Sequence, residues 1–200
     1  MRILEPVTLP DGRISRGAFD GVTMLAHWTT VLLVLLLLLS GFSIGAVEGT
    51  SFLPPLLALH RSMGVAVGSI TALRLLWRAT FARFPQFPAG LPRVMELAAK
   101  TSEYALYALL LLQPSTGFLA TLLRGRPFDL FGLTVPALLP RLLNVSEQVG
   151  ELHEWGALVL AAVAGLHGLA ALFHHFVLRD DVLEAMLPMA RRPAAVPASK

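Results

Sequence analysis

Between Glu154 and Arg179 the chain carries no formally charged residue: WGALVLAAVAGLHGLAALFHHFVL. A helix crosses the hydrocarbon core of a bilayer with about 20 apolar residues, so this run is long enough to span it. It nevertheless contains His167, His174 and His175, and His153 stands just before it. A polar imidazole inside a span is costly and marks a functional site by default. His153 and His167 are 14 residues apart. On an α-helix that is a rise of about 21 Å and a rotation about 40° short of four full turns. The two rings therefore share nearly one face, one close to each membrane surface.

The rest of the chain is of the same kind. Of its 200 residues 55% are hydrophobic and 14% charged, and the mean hydropathy is +0.67. Soluble domains carry roughly 25% charged residues, so this is the composition of an integral membrane protein. The absence of cysteine excludes disulfides, thiolate metal sites, covalent c-type haem attachment and cysteine-ligated clusters within the chain. The net charge of +3 comes from arginines scattered at span ends, which reads as topology rather than as a nucleic-acid surface.

Taken in order, residues 1–19 form a polar extension with Pro6, Pro10, Asp11 and Gly12. The first apolar run, 20–47, is longer than the ~7–15 residues of a signal-peptide core, so it should remain as a span. Asp20 is placed to cap it, His27 and Trp28 lie in its first turns, and Gly41 follows His27 by 14 residues, which would leave room for something flat. A loop with Pro54 and Pro55 leads to span two, about 56–78, with His60 in its first turn, Gly64 and Gly68 in small-xxx-small spacing, and Arg74 14 residues after His60. The segment 79–100, with Pro85, Pro88, Gly90 and Pro92, reads as a loop. Span three, about 102–123, contains Pro114, expected to kink it, and no histidine. The semi-apolar loop 125–149 should lie over the mouth of the bundle. Span four is the histidine-bearing run, and the tail 189–200 has the composition of a disordered segment.

These signals predict an all-α membrane protein, a four-transmembrane-helix bundle spanning 20–188. Arg2, Arg13, Arg16, Arg83, Arg93, Lys100, Arg179, Arg191, Arg192 and Lys200 collect on one side; Arg124, Arg126 and Arg141, with Arg61 just inside span two, fall on the other. The positive-inside rule makes the first side, and both termini, cytoplasmic.

Depth then sorts the histidines. His27 and His167 fall in the inner half of the membrane, His60 and His153 near the outer surface. Four histidines on three helices resolve into two cross-membrane pairs, and bis-histidine ligation of two b haems is the simplest chemistry that uses them. Each ring would bind iron through one nitrogen and donate its other N–H to a polar partner. Arg61 and Arg74 lie at the two haem levels and suit carboxylates such as propionates; the bland alternative is that they snorkel. A lone intramembrane histidine can equally be a helix-packing residue, a reading that four depth-matched ones disfavour. Two-ligand sites without a carboxylate are poor zinc sites. His174 and His175 are candidates for quinone or proton exchange, with interfacial structural histidine as the blander reading.

The chain resembles the bacterial cytochrome b561 family of stand-alone di-haem inner-membrane cytochromes. The resemblance rests on AHW (26–28), LHRSMG (59–64), RLLWR (74–78), FGLTVP (131–136), LHEWGA (152–157) and GLHGLAALFHH (165–175). It implies that His27, His60, His153 and His167 are the haem ligands, paired as depth pairs them. It also implies an oxidoreductase that passes electrons from superoxide, or another donor, at the periplasmic face through two haem b groups to ubiquinone. Arg124, Arg126 and Arg141 would then steer the anion. The alternative is a haem-b membrane anchor that carries electrons for a partner dehydrogenase or hydrogenase; a third reading is a non-redox protein whose histidines serve packing or transport. The chain departs from the family at Glu103, where relatives often have a histidine, and in its N-terminal extension.

Overall fold

The computed structural model describes residues 18–85 and 92–187, with backbone alone at 83–84 and in three two-residue strands at 2–3, 7–8 and 14–15. The expected tail, 189–200, lies outside the described residues.

Four long helices make up the body: α1 (Gly21–Ser43), α2 (Leu53–Thr80), α3 (Arg93–Leu123) and α4 (Leu143–Phe173). All four are long and apolar enough to cross a membrane. Asp20 caps α1 as its position predicts: Oδ1 accepts from the Thr23 N–H (2.9 Å) and Oδ2 from the Thr23 hydroxyl (2.7 Å). Pro54 and Pro55 occupy the first turn of α2, where the missing N–H removes no helical bond. A 3₁₀ turn, Gly45–Val47, follows α1.

Two boundaries differ from expectation. Residues 93–100 are helix, not loop, because the run of turn residues ends at Pro92, which is the residue preceding α3. A Glu96–Lys100 pair (2.6 Å) one turn apart supports the added turns. At the other end, α4 begins eight residues before Glu151. There the Ser146 hydroxyl donates to the Ala120 carbonyl of α3 (2.8 Å), and this buried bond secures the extra turns. Helix α3 runs through Pro114 without interruption.

Contacts along each pair, including Gly68 of α2 against Pro114 of α3, show that neighbours run antiparallel. The start of α1 meets the end of α2 where the Trp77 indole donates to Asp20 (3.0 Å), and Ser40 near the end of α1 meets His60 near the start of α2 (2.8 Å). Arg78 at the end of α2 pairs with Glu103 in both branches of its guanidinium, while Gln113 and Ala120 of α3 bond to His153 and Ser146 of α4. The helices pack α1 on α2, α2 on α3 and α3 on α4; α1 and α4 touch little. One residue from each helix, Val34, Val67, Leu110 and Leu160, forms the buried core. Three of these lie seven residues from a histidine, so the core is an apolar layer midway between the two histidine levels.

The segment 125–142 lies over a mouth of the bundle, at the end that the charge pattern predicts to be outer, and is built as a hairpin, Phe128–Leu130 paired antiparallel with Leu133–Val135. The turn carries positive φ at Phe131 and Gly132 (50° and 78°), as a two-residue hairpin requires. Phe128 is buried, with its ring against Phe118 (5.8 Å), and the Phe131 N–H donates to Ser62 (2.8 Å). Gly125 is obligatory: φ is +60° and a Cβ would lie 2.7 Å from the Arg141 backbone. At the inner end, α4 passes into a π-helical turn, His174–Leu178, closed by left-handed Arg179. The chain then returns to α1, where the Ala185 carbonyl accepts from Phe19 (3.0 Å) and the Met186 carbonyl from the Trp28 indole (2.8 Å).

Candidate functional site

At the hairpin end of the bundle, the side that the charge pattern predicts to be outer, the structure brings His60 of α2 and His153 of α4 together. Their ring centroids are 6.2 Å apart and their planes cross at 87°. Two imidazoles that bind one metal ion from opposite sides, each through a nitrogen about 2 Å from it, have centroids about 6.3 Å apart. The pair stands at that separation.

The remaining nitrogens are already committed. His153 Nδ1 lies 3.0 Å from the Gln113 carbonyl. A carbonyl only accepts, so Nδ1 carries the proton and Nε2 keeps its lone pair. The Thr116 oxygen is a second acceptor at 3.3 Å, its own proton directed to the Leu112 or Gln113 carbonyl, each 3.0 Å away. His60 Nδ1 is 2.8 Å from Ser40 Oγ, and the Ser40 proton goes to the Leu37 carbonyl (3.0 Å). His153 therefore holds the tautomer whose Nε2 can bind a metal, and His60 holds it with the Ser40 proton on the Leu37 carbonyl, the arrangement that metal-ligating histidines require.

The glycines seat these rings. A Cβ on Gly41 would lie 3.3 Å from His60, and one on Gly117 2.9 Å from His153. A Cβ on Gly41 would thus meet the imidazole itself. Of the small-xxx-small pair, Gly68 is the one in contact, against Pro114 of α3, while a Cβ on Gly64 would meet nothing.

At the inner level, His27 lies within electrostatic reach of His167 and of Arg74, and His167 within reach of Arg74 and Glu103. The Arg74 guanidinium stacks over Tyr107 (5.4 Å), as does that of Arg78 (5.8 Å). Arg78 is tied to Glu103. Arg74 Nε, by contrast, is a buried side-chain nitrogen with no hydrogen-bond partner among the described residues. An orphaned buried donor is costly unless something accepts from it, and the planar fork suits a carboxylate.

Of the other predicted residues, Arg61 is half-buried with its guanidinium over Phe128 (5.7 Å), within electrostatic reach of Arg124 and Asp129. Arg124, Arg126 and Arg141 are exposed beside the hairpin. His174 is held by Asp180 (2.6 Å) and His175 lies against Phe176 (4.8 Å); neither joins the two pairs.

Sequence reading passed over Ser40, Gln113, Thr116 and Gly117. The signal was there in Gln113, an amide inside an apolar span, which membrane energetics single out as readily as a histidine.

The donor set fits haem. Among the described residues no three metal-binding side chains cluster, and the outer level brings two imidazoles together. Zinc needs three or four protein ligands, whereas haem brings its own in-plane nitrogens and asks the protein for axial ligands only.

Comparison with known proteins agrees. The chain is 35% identical over 130 residues to "Cytochrome b561 homolog 2" of Escherichia coli (strain K12), covering 64% of this chain and 69% of that one. It is 29% identical over 165 residues to "Probable superoxide oxidase CybB" of Yersinia pestis, covering 82% and 93%. The family model for prokaryotic cytochrome b561 matches residues 18–189. The chain belongs to the prokaryotic cytochrome b561 family of helical, haem-b-binding membrane proteins of electron transfer.

Proposed function

We propose that this chain is an inner-membrane superoxide:quinone oxidoreductase holding two b haems, one between His60 and His153 near the periplasmic surface and one between His27 and His167 near the cytoplasmic surface. The observation that carries this reading is the outer pair, with imidazole centroids 6.2 Å apart and both Nδ1 atoms engaged in hydrogen bonds. The relative named as a probable superoxide oxidase supports the choice of donor.

When bound, the haems supply one-electron oxidation and reduction at two depths. The protein's part is to place and poise them. His60 and His153 would hold the haem iron through Nε2; Ser40, Gln113 and Thr116 hold their other nitrogens. Arg74 offers its free Nε and its fork to a propionate at the inner level, and Arg61 does so at the outer one. Exposed Arg124, Arg126 and Arg141 around the hairpin raise the local concentration of a small anion. Two superoxide ions, each losing one electron and leaving as dioxygen, match one quinone that takes up two electrons and two protons. His174 with Asp180, and His175, are the groups that exchange those protons at the inner end of α4. Both termini lie in the cytoplasm, on the arginine-rich side.

The test is a reduced-minus-oxidised spectrum of the purified protein with haem counted per chain, followed by superoxide-driven reduction of a short-chain ubiquinone. Two low-spin b haems, one lost on His60→Ala and the other on His167→Ala, with superoxide-dependent quinol formation, are the expected result. Colourless protein from haem-replete cells sinks the redox reading; a di-haem protein that superoxide does not reduce sinks the choice of donor.

A further inference from the structure

We propose that Gln113, Thr116 and Gly117 of α3, the helix without a histidine, form the positioning element that sets the orientation of His153 and thereby the properties of the outer haem. The inference rests on the assignment of a haem to His60 and His153.

These three residues converge on one imidazole. Gln113, 9% exposed, engages His153 twice: its Nε2 donates to the His153 carbonyl (2.9 Å), and its own carbonyl accepts from His153 Nδ1 (3.0 Å). Thr116 adds a second acceptor to that nitrogen (3.3 Å). Gly117 forms the floor, since a Cβ there would stand 2.9, 3.0 and 3.3 Å from three atoms of the ring. The fit is mutual: a Cβ on Gly156, one turn after His153, would stand 2.5 Å from Gln113 Oε1. Between these residues, Pro114 packs on Gly68 of α2 (3.0 Å to its Cβ position), two turns along the same helix from His60. Helix α3 therefore holds one ligand of the outer pair and abuts the helix that supplies the other.

A single acceptor leaves an imidazole free to swing about its hydrogen bond. Two acceptors, a floor and a tether on the histidine's own backbone leave one ring plane. An acceptor on Nδ1–H also makes the ring a stronger electron donor to its metal, which favours the oxidised state. Of the two ring planes that cross at 87°, α3 thus sets that of His153, from outside the histidine helices.

The experiment uses the full-length, haem-loaded protein in detergent. Gly117→Ala, Gln113→Leu and Thr116→Val are compared with Ser115→Ala, whose hydroxyl bonds only to its own helix (2.7 Å to the Leu111 carbonyl) and is exposed. Haem per chain, the midpoint potential of each haem and the low-spin electron paramagnetic resonance spectrum are read out. Gly117→Ala is expected to drop from two haems to one, the inner one being retained. Thr116→Val is expected to keep both and to raise the outer potential alone. Gln113→Leu is expected to keep both and to move the outer resonance signal, which follows the angle between ring planes. Ser115→Ala should match the wild type. Unchanged outer potential and signal in all three variants overturn the inference, and so does equal loss of both haems, which marks a merely structural role. A wild type whose outer haem does not depend on His153 overturns the haem assignment and this inference with it.

Discussion

Ser40→Ala tests whether the outer site is held by its hydrogen bonds. The hydroxyl is buried in α1 (8% exposed) and is the acceptor for His60 Nδ1 at 2.8 Å. Removing it strands an N–H in a site closed by Gly41, whose Cβ position is 3.3 Å from the same ring. An unsatisfied buried donor costs about 1–3 kcal/mol. Independently, losing the outer partner of a metal-binding histidine costs about 10–100-fold in affinity, which is about 1.4–2.8 kcal/mol. The two routes agree, so affinity of the outer site for haem should fall by about 10–100-fold. The assay is transfer of haem from the loaded protein to an excess of apo-myoglobin, followed at the Soret band. The faster-released haem should be the outer one, its potential should rise, and the inner haem should be untouched. Ser43→Ala is the control: its hydroxyl bonds only to the Leu39 carbonyl of its own helix (2.7 Å) and is exposed. Outer-haem release within twofold of wild type in Ser40→Ala would refute the reasoning.

Other substitutions follow from the same contacts. Asp20→Ala removes the α1 cap, worth about 1 kcal/mol, and also strands the Trp77 indole; thermal unfolding in detergent should show a lower midpoint, with Asp20→Asn recovering most of it. Gly156→Ala sets a Cβ 2.5 Å from Gln113 Oε1 and should cost about 1–3 kcal/mol in overpacking, read as a lower denaturant midpoint. Reversing Arg124, Arg126 and Arg141 to glutamate should slow reduction by superoxide and flatten its dependence on ionic strength, while reduction by a neutral donor stays unchanged; equal slowing of both would remove the steering role. Glu103→Gln removes one carboxylate from Arg78, and both side chains are partly exposed (23% and 32%), so stability measured by heat should change by no more than about 1 kcal/mol.

Much of this protein was legible in one dimension. Four apolar runs of spanning length mark four helices, because a bilayer supplies no hydrogen-bond partners and only a helix satisfies its own backbone. Depth is linear in residue number along a helix, so the spacing of His153 and His167 placed the histidines in two layers. Asp20 declared itself as a cap because capping is a local interaction across three residues. The arrangement between helices was not local. That Gln113, Thr116 and Gly117 meet His153, 36–40 residues away in sequence, depends on the rotation of α3 about its axis, which no spacing within α3 reveals. That the His60 ring lies against Gly41 likewise depends on how α2 is set beside α1. The turn-rich stretch 79–100 concealed the first turns of α3, because prolines before a helix start and prolines in a loop read alike in sequence. Covalent spacing determined how deep each side chain lies; only tertiary packing decided which side chain it faces there.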